Sequence, residues 1–278
     1  MPAWVESLKW RPRLKILITN DDGVYGDGLW RLAEELSKVA EIVIVAPDRE
    51  QSGVGTAVTL HRPLRVRDLT PWRPVPCYAV EGTPADCVIL GLRSLCQEKV
   101  DMIFSGINDG ANLGNDVLIS GTVGAAMQGY FYGVPSVAMS VAALHDVQYS
   151  PAANLALALA ERFRDGQFPD GLLLNVNLPN VLQEEVKGIE VTRLAARSYM
   201  DVVKEDKDAR GKTFHWITRG TVEWTVEEGT DIWAVRDGRI SITPLQSNLA
   251  ANDKIIQLKS LCSYLLDGLK TPGFCDPS

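Results

Sequence analysis

Two aspartates stand side by side, Asp21 and Asp22, after a short apolar run and before a glycine. At the end of a buried strand, adjacent carboxylates repel each other unless protons or a cation compensate. A hard divalent ion such as Mg²⁺ or Mn²⁺ meets that need, because it takes carboxylate, amide and hydroxyl oxygens and keeps several waters. Ser52 and Asn108 sit in two further polar loops and would complete such an oxygen set. The competing reading is a solvated Asp-Asp turn that caps the next helix, where Asn and Asp are favoured. Anion binding is the second chemistry on offer. Ser120-Gly121-Thr122-Val123-Gly124 opens a helix, and a helix N-terminus presents free N–H groups and positive dipole to a phosphate. Asn112 and Ser120 would add neutral donors there. Ordinary N-capping by Ser120 explains the same residues.

Elements able to carry these loops follow from the apolar pattern. Residues 14–19 (LKILIT) form a short β-branched run, and 28–39 carries Leu29, Leu32, Ala33, Leu36 and Val39 at helical spacing. Residues 41–46 (EIVIVA) are apolar on both faces, as in a strand covered by helices on each side of a parallel sheet. Alternation continues with helices near 84–95, 121–132 and 151–164 and strands at 102–105, 136–140 and 172–177. Such alternation predicts a doubly wound α/β fold, whose ligands bind at the carboxyl ends of the strands. Loops 20–23, 46–53, 82–84 and 105–114 are therefore expected along one edge.

After about residue 185 the texture turns β-rich, with alternating segments at 189–193, 213–218 and 240–243 and a charge-rich stretch at 201–212. An arm of this kind either packs on the sheet or reaches a second subunit. A last helix is expected over 253–269. The organisation read from the chain is an N-terminal extension at 1–13, an α/β core at 14–185, a β-rich region for oligomerisation at 186–250, and a C-terminal helix and tail at 251–278.

Several function classes drop out. The 278 residues carry 28 Lys and Arg against 35 Asp and Glu, a net charge of −7, which argues against a nucleic-acid coat. No apolar run reaches the ~18 residues of a membrane span, and the N-terminus has no apolar core of a signal peptide. Five cysteines without a C-x-x-C pair read as reduced thiols of a cytoplasmic protein. Gly211-Lys212-Thr213 lacks the first glycine of a phosphate loop, since position 206 is Asp206. Gly23, Gly26 and Gly28 run in the reverse order of the dinucleotide fingerprint. His61, His145 and His215 are too scattered for a zinc site or a catalytic triad.

The stretches ILITNDDGV (16–24), VAPDREQSGVG (45–55), TL (59–60), EGTPADCV (81–88), SGINDGANLGNDVLISGTVGAAMQG (105–129) and SITPL (241–245) closely resemble the SurE family of metal-dependent 5'/3'-nucleotidases. The resemblance spans most of residues 14–250. It implies a Rossmann-like three-layer core and a C-terminal arm exchanged between subunits of a homodimer or homotetramer. It also implies phosphate monoester hydrolysis with one Mg²⁺ or Mn²⁺ per subunit. Carried over residue by residue, the metal ligands fall on Asp21, Asp22, Ser52 and Asn108, and the phosphate contacts on Asn112, Ser120 and Gly121, with Thr122 beside them. Tyr25-Gly26-Asp27-Gly28 departs from the family's more usual His-Ala-Pro-Gly at the rim of the site.

The expected function is hydrolysis of nucleoside 5'- and 3'-monophosphates, with short polyphosphate as a further substrate, by attack of a metal-activated water. Asp21 or Asp22 would orient that water, while Asn112 and Ser120 hold the phosphoryl oxygens. Two other classes stay open at this point: a nucleotide-binding regulatory module without turnover, and an interaction protein built around the arm.

Overall fold

The computed structural model describes residues 13–169, 171–196, 201–219 and 226–270. The extension expected at 1–13 lies outside the described residues except for Arg13, as do Trp224 and Cys275. In chain order the elements are β1 (Leu14–Thr19), α1 (Asp27–Leu36), β2 (Ala40–Pro47), β3 (Val66–Asp68), β4 (Cys77–Val80), α2 (Pro84–Leu90) and β5 (Met102–Asp109). They continue with α3 (Gly121–Phe131), β6 (Ser136–Val141), α4 (Tyr149–Arg164), β7 (Leu173–Leu178), β8 (Ile189–Val191), β9 (Asp201–Lys207), β10 (Thr213–Arg219), α5 (Asp231–Arg236), β11 (Ile240–Pro244) and α6 (Asn252–Lys270).

Nine strands form one sheet in the order β3-β4-β2-β1-β5-β6-β7-β11-β8. From β4 to β7 every neighbour is parallel, while β3 joins β4 and β11 joins β7 antiparallel. Parallel neighbours need crossovers, and the helices supplying them cover both faces. Leu29, Leu32 and Leu36 of α1 and Ala152, Ala153 and Ala156 of α4 pack with Ile16, Ile18 and Phe104 on one face. Cys87 and Val88 of α2 and Ala125 of α3 pack with Leu17, Val45 and Ile103 on the other. This is the doubly wound α/β sheet that the alternation predicts and the Rossmann-like three-layer core that the resemblance implies.

The direction of winding reverses between β1 and β5. The chain leaves β1 for β2 on one side and returns to β5 on the other, so the loops after these strands diverge and leave a crevice. A register shift between Ser105 and Asn108 bulges β5 at that crevice, and bulges re-aim the side chains that follow. Gly28 lets α1 close against the bulge, because a Cβ there would lie 2.1 Å from the Ile107 carbonyl oxygen.

The boundary expected at residue 185 does not coincide with an edge of the sheet. β8 and β11, both from the 186–250 region, are strands of the main sheet. The cause is β7, which would otherwise leave a row of unpaired backbone groups that β11 satisfies. Among the described strands, only β9 and β10 stand apart, as a two-stranded antiparallel sheet. From Gln246 on, the described residues form a second compact unit, in which α6 exposes Ile255, Ile256, Leu258, Leu261, Leu265 and Leu266. No helix among the described residues is long and apolar enough to cross a membrane.

Leu32 is fully buried between α1 and the sheet. Leu32→Ala is expected to destabilise the protein by about 2–5 kcal/mol, read as a lower urea midpoint with unchanged slope.

Candidate active site

Three of the four expected loops converge at the crevice. A cavity of about 50 Å³ is lined by Asp21, Ser52, Gly53, Asn108, Asp109, Asn112, Asp116, Ile119 and Ser120. The fourth loop, 82–84, is not among the lining residues. Thr83 instead caps α2 in a reciprocal capping box with Asp86, and Asp86 also accepts the Thr59 amide at 2.9 Å.

The turn after β1 is built by Asn20, whose side chain accepts the Gly23 amide and donates to the Gly23 carbonyl. Asp21 follows at 4% exposure, and its carbonyl accepts the Gln51 amide at 2.7 Å, which ties the 48–53 loop to this turn. The Asp21 carboxylate lies against the start of α3. Thr122 Oγ1 donates to Asp21 Oδ1 at 2.5 Å, and the Thr122 backbone also binds it. Gly121 is the residue that permits this approach, since a Cβ there would fall 2.9 Å from Asp21 Oδ2.

Burial pushes the Asp21 carboxyl above its ordinary range, against the opposing pull of the Thr122 hydroxyl. Asp22 is pushed up to about 7, first by burial and then by the charges of Asp21 and Asp109. Two carboxylates held out of water without a cationic side chain raise each other's proton affinity. A cation would remove that conflict.

Asn108 is 8% exposed, and its Nδ2 donates to the Gly110 carbonyl at 2.6 Å, which leaves Oδ1 as an acceptor at the cavity. Ser52 Oγ donates to Glu50 Oε1 at 2.7 Å, which commits its proton and leaves its lone pairs. Among the described residues no three His, Cys, Asp or Glu side chains cluster as metal ligands. The donor set is all oxygen: two carboxylates, an amide and a hydroxyl. It fits a hard divalent ion that retains water, and not zinc, whose structural sites favour thiolate and imidazole.

On the phosphate side, Ser120 Oγ accepts the Val123 amide and caps α3. The N-capping alternative is therefore present, while the Ser120 hydroxyl hydrogen stays available at the cavity it lines. Thr122 does not offer its hydroxyl to a ligand, because Asp21 holds it; its role at this site is to fix that carboxylate.

Asn112 is pinned by residues that the sequence reading passed over. Asn177 Oδ1 accepts its amide at 2.8 Å, and Asn175 and Asn177 both donate to its carbonyl. Its own Nδ2 donates to Ser140 Oγ at 2.9 Å. Asn175 and Asn177 are two apart in β7 and share one face; the repeated asparagine in LLNVNL was the available signal. Asp231 was also missed. Its carboxylate accepts the Gly114 amide at 2.7 Å and the Ala195 amide at 2.9 Å, holding the loop after Asn112.

With this geometry in place, comparison with known proteins identifies the lineage. Residues 16–201 match the family model described as survival protein SurE. The chain belongs to the SurE family. It is 44% identical to the 5'-nucleotidase SurE of Dehalococcoides mccartyi (strain CBDB1), over 85% of this chain and 90% of that protein. It is also 44% identical to the 5'-nucleotidase SurE of Vibrio parahaemolyticus, over 92% and 97% respectively. The crystal structure of the SurE protein from Aquifex aeolicus superposes with a TM-score of 0.77 at 40% identity, covering 89% of this chain and 99% of that one. The Rossmann-like architecture is thus the SurE fold, and the converging loops lie within the matched residues 16–201.

Thr122→Val keeps shape but leaves the buried Asp21 carboxylate short of a donor. The expected cost is about 1–3 kcal/mol in metal-free denaturant unfolding, with Thr122→Ser close to wild type.

Proposed function

We propose that this SurE-family chain is a metal-dependent 5'-nucleotidase that hydrolyses nucleoside 5'-monophosphates to nucleoside and phosphate. The observation that carries the reading is that Asp21, Ser52 and Asn108 line one cavity with Ser120, the N-cap of α3, while Asp22, outside the lining, feels the charges of Asp21 and Asp109. 3'-Monophosphates and short polyphosphate present the same terminal phosphate, and the proposal includes them as further substrates.

Asp21, Asp22, Ser52 and Asn108 would hold one Mg²⁺ or Mn²⁺ per subunit. Bound there, such an ion supplies Lewis-acid polarisation of the phosphate and acidifies a water. The chain's own groups do the rest. The Gly121 amide and the Ser120 hydroxyl donate to the phosphoryl oxygens, aided by the helix dipole, while Thr122 stays bound to Asp21. Asn112 is rigid before substrate arrives, because β7 fixes its main chain on both sides, so little reorganisation is needed as charge develops. Asp21 or Asp22 would orient the attacking water and take its proton, which returns to the oxygen of the departing nucleoside. A cavity this small takes the phosphate and leaves the base outside, which favours breadth over base selectivity.

The oligomer is proposed from the arm. β9 and β10 make a sheet of their own, with Trp216 60% and Ile217 78% exposed. A ribbon of this kind is marginal alone and gains a core from a second copy, so we propose a homodimer or a pair of dimers. Cys77, Cys87, Cys96 and Cys262 are free thiols, which supports a reducing, cytoplasmic setting.

Purified protein with Mn²⁺ is expected to release phosphate from AMP and to stop on EDTA addition. Asp21→Asn should cut the rate about a hundredfold or more. Mn²⁺ at about 100 times its Kd should stabilise the wild type by about 2.7 kcal/mol, and Asp21→Asn should lose that shift. A folded, Mn²⁺-stabilised wild type that binds AMP without turnover would favour a regulatory module instead. Light scattering is expected to report a dimer or tetramer, and Trp216→Lys with Ile217→Lys to shift it toward monomer.

A further inference from the structure

Asp109 lines the cavity, yet the proposed chemistry gives it no task. It ends β5, directly after the proposed ligand Asn108. Tyr149, the first residue of α4, donates its hydroxyl to Asp109 Oδ1 at 2.6 Å. Burial and the nearby Asp109 carboxylate raise the Tyr149 hydroxyl above its usual range, so it stays a donor. Tyr149 thus occupies one carboxylate oxygen of this cavity-lining residue and leaves Oδ2 with accepting capacity. Among the described residues no cationic side chain pairs with Asp109.

A fixed carboxylate cannot face phosphate oxygens, since both carry negative charge and neither donates. The placement of Asp109 agrees. The phosphate donors belong to the start of α3, on the α2–α3 face of the sheet, whereas Tyr149 comes from α4, on the α1–α4 face. The two flank the cavity. With phosphate seated at α3, the opposite flank meets the alcohol half of the ester, whose available donors are hydroxyl groups.

We infer that Asp109, held in place by Tyr149, accepts a hydrogen bond from a sugar hydroxyl of the substrate and thereby selects ribose esters over esters without a neighbouring hydroxyl. The inference rests on the phosphomonoesterase reading above and adds a substrate class to it. Asp109 is then a specificity residue and Tyr149 a positioning residue.

The test compares kcat/KM for AMP, 2'-deoxy-AMP, 3'-deoxy-AMP and 4-nitrophenyl phosphate in wild type, Asp109→Asn and Tyr149→Phe, with a thermal midpoint for each protein. A hydrogen bond to a charged acceptor corresponds to about tenfold or more in rate. Wild type is expected to favour AMP over at least one deoxy analogue by about that factor. In Asp109→Asn the ratio of AMP to 4-nitrophenyl phosphate should fall about tenfold and the ribose preference should vanish. Tyr149→Phe keeps the carboxylate and loosens it, so it should move both ratios the same way by less. If both variants slow all four substrates in equal proportion, or if wild type treats AMP and its deoxy analogues alike, the inference is overturned. Failure of wild type to release phosphate from any of the four would instead overturn the phosphomonoesterase reading, and this inference with it.

Discussion

The contact on which the site depends is the one between the buried Asp21 carboxylate and the first turn of α3. A charged group at 4% exposure is tolerated only when donors or a cation compensate it. Thr122 supplies a donor from its side chain, and Gly121 supplies the space. Because α3 also carries the phosphate donors, the same contact fixes the separation between the proposed metal side and the phosphate side. The bulge in β5 and the closing of Gly28 on Ile107 then bring Asn108 and Asp109 to the same point.

Acidity and anion binding are compatible here because charge is local. The chain carries a net −7, and among the described residues the cavity lining holds no Lys or Arg. Attraction for phosphate comes from backbone amides, neutral side chains and the positive charge that the carboxylates would recruit. An arginine beside Asp21 would pair with it and occupy the place of the ion.

Sequence reading located the core strands because their apolar residues fill both faces of a covered sheet; β1 was expected at 14–19 and lies there. It was weakest where packing is one-sided. β9 (DVVKEDK) reads only as part of a charge-rich stretch because it pairs with β10 alone and faces solvent. Residues 61–67 (HRPLRVR) alternate basic and apolar as a strand with one solvated face does, yet only Val66–Asp68 pairs, at the sheet edge. β4 and α5 are too short for periodicity to register. At the site, residues in loops just after strands were legible, since polar glycine-rich loops at strand ends have few structural reasons to be there. Asn175, Asn177 and Asp231 were not. They act through backbone groups of residues far away in sequence, and only the folded chain brings them together.

The pairing of β11 with β7 also bears on how the chain is made. β7 is complete at Leu178, but its antiparallel neighbour begins at Ile240. Synthesis runs from the N-terminus, so the buried strand LLNVNL waits with one edge bare while the hairpin and α5 are still being added. An apolar strand with an open edge is a template for pairing with another chain. The interval between residues 178 and 240 is therefore the window in which the nascent protein is most exposed to misassembly, and the asparagines that later grip Asn112 are the polar groups on that waiting strand.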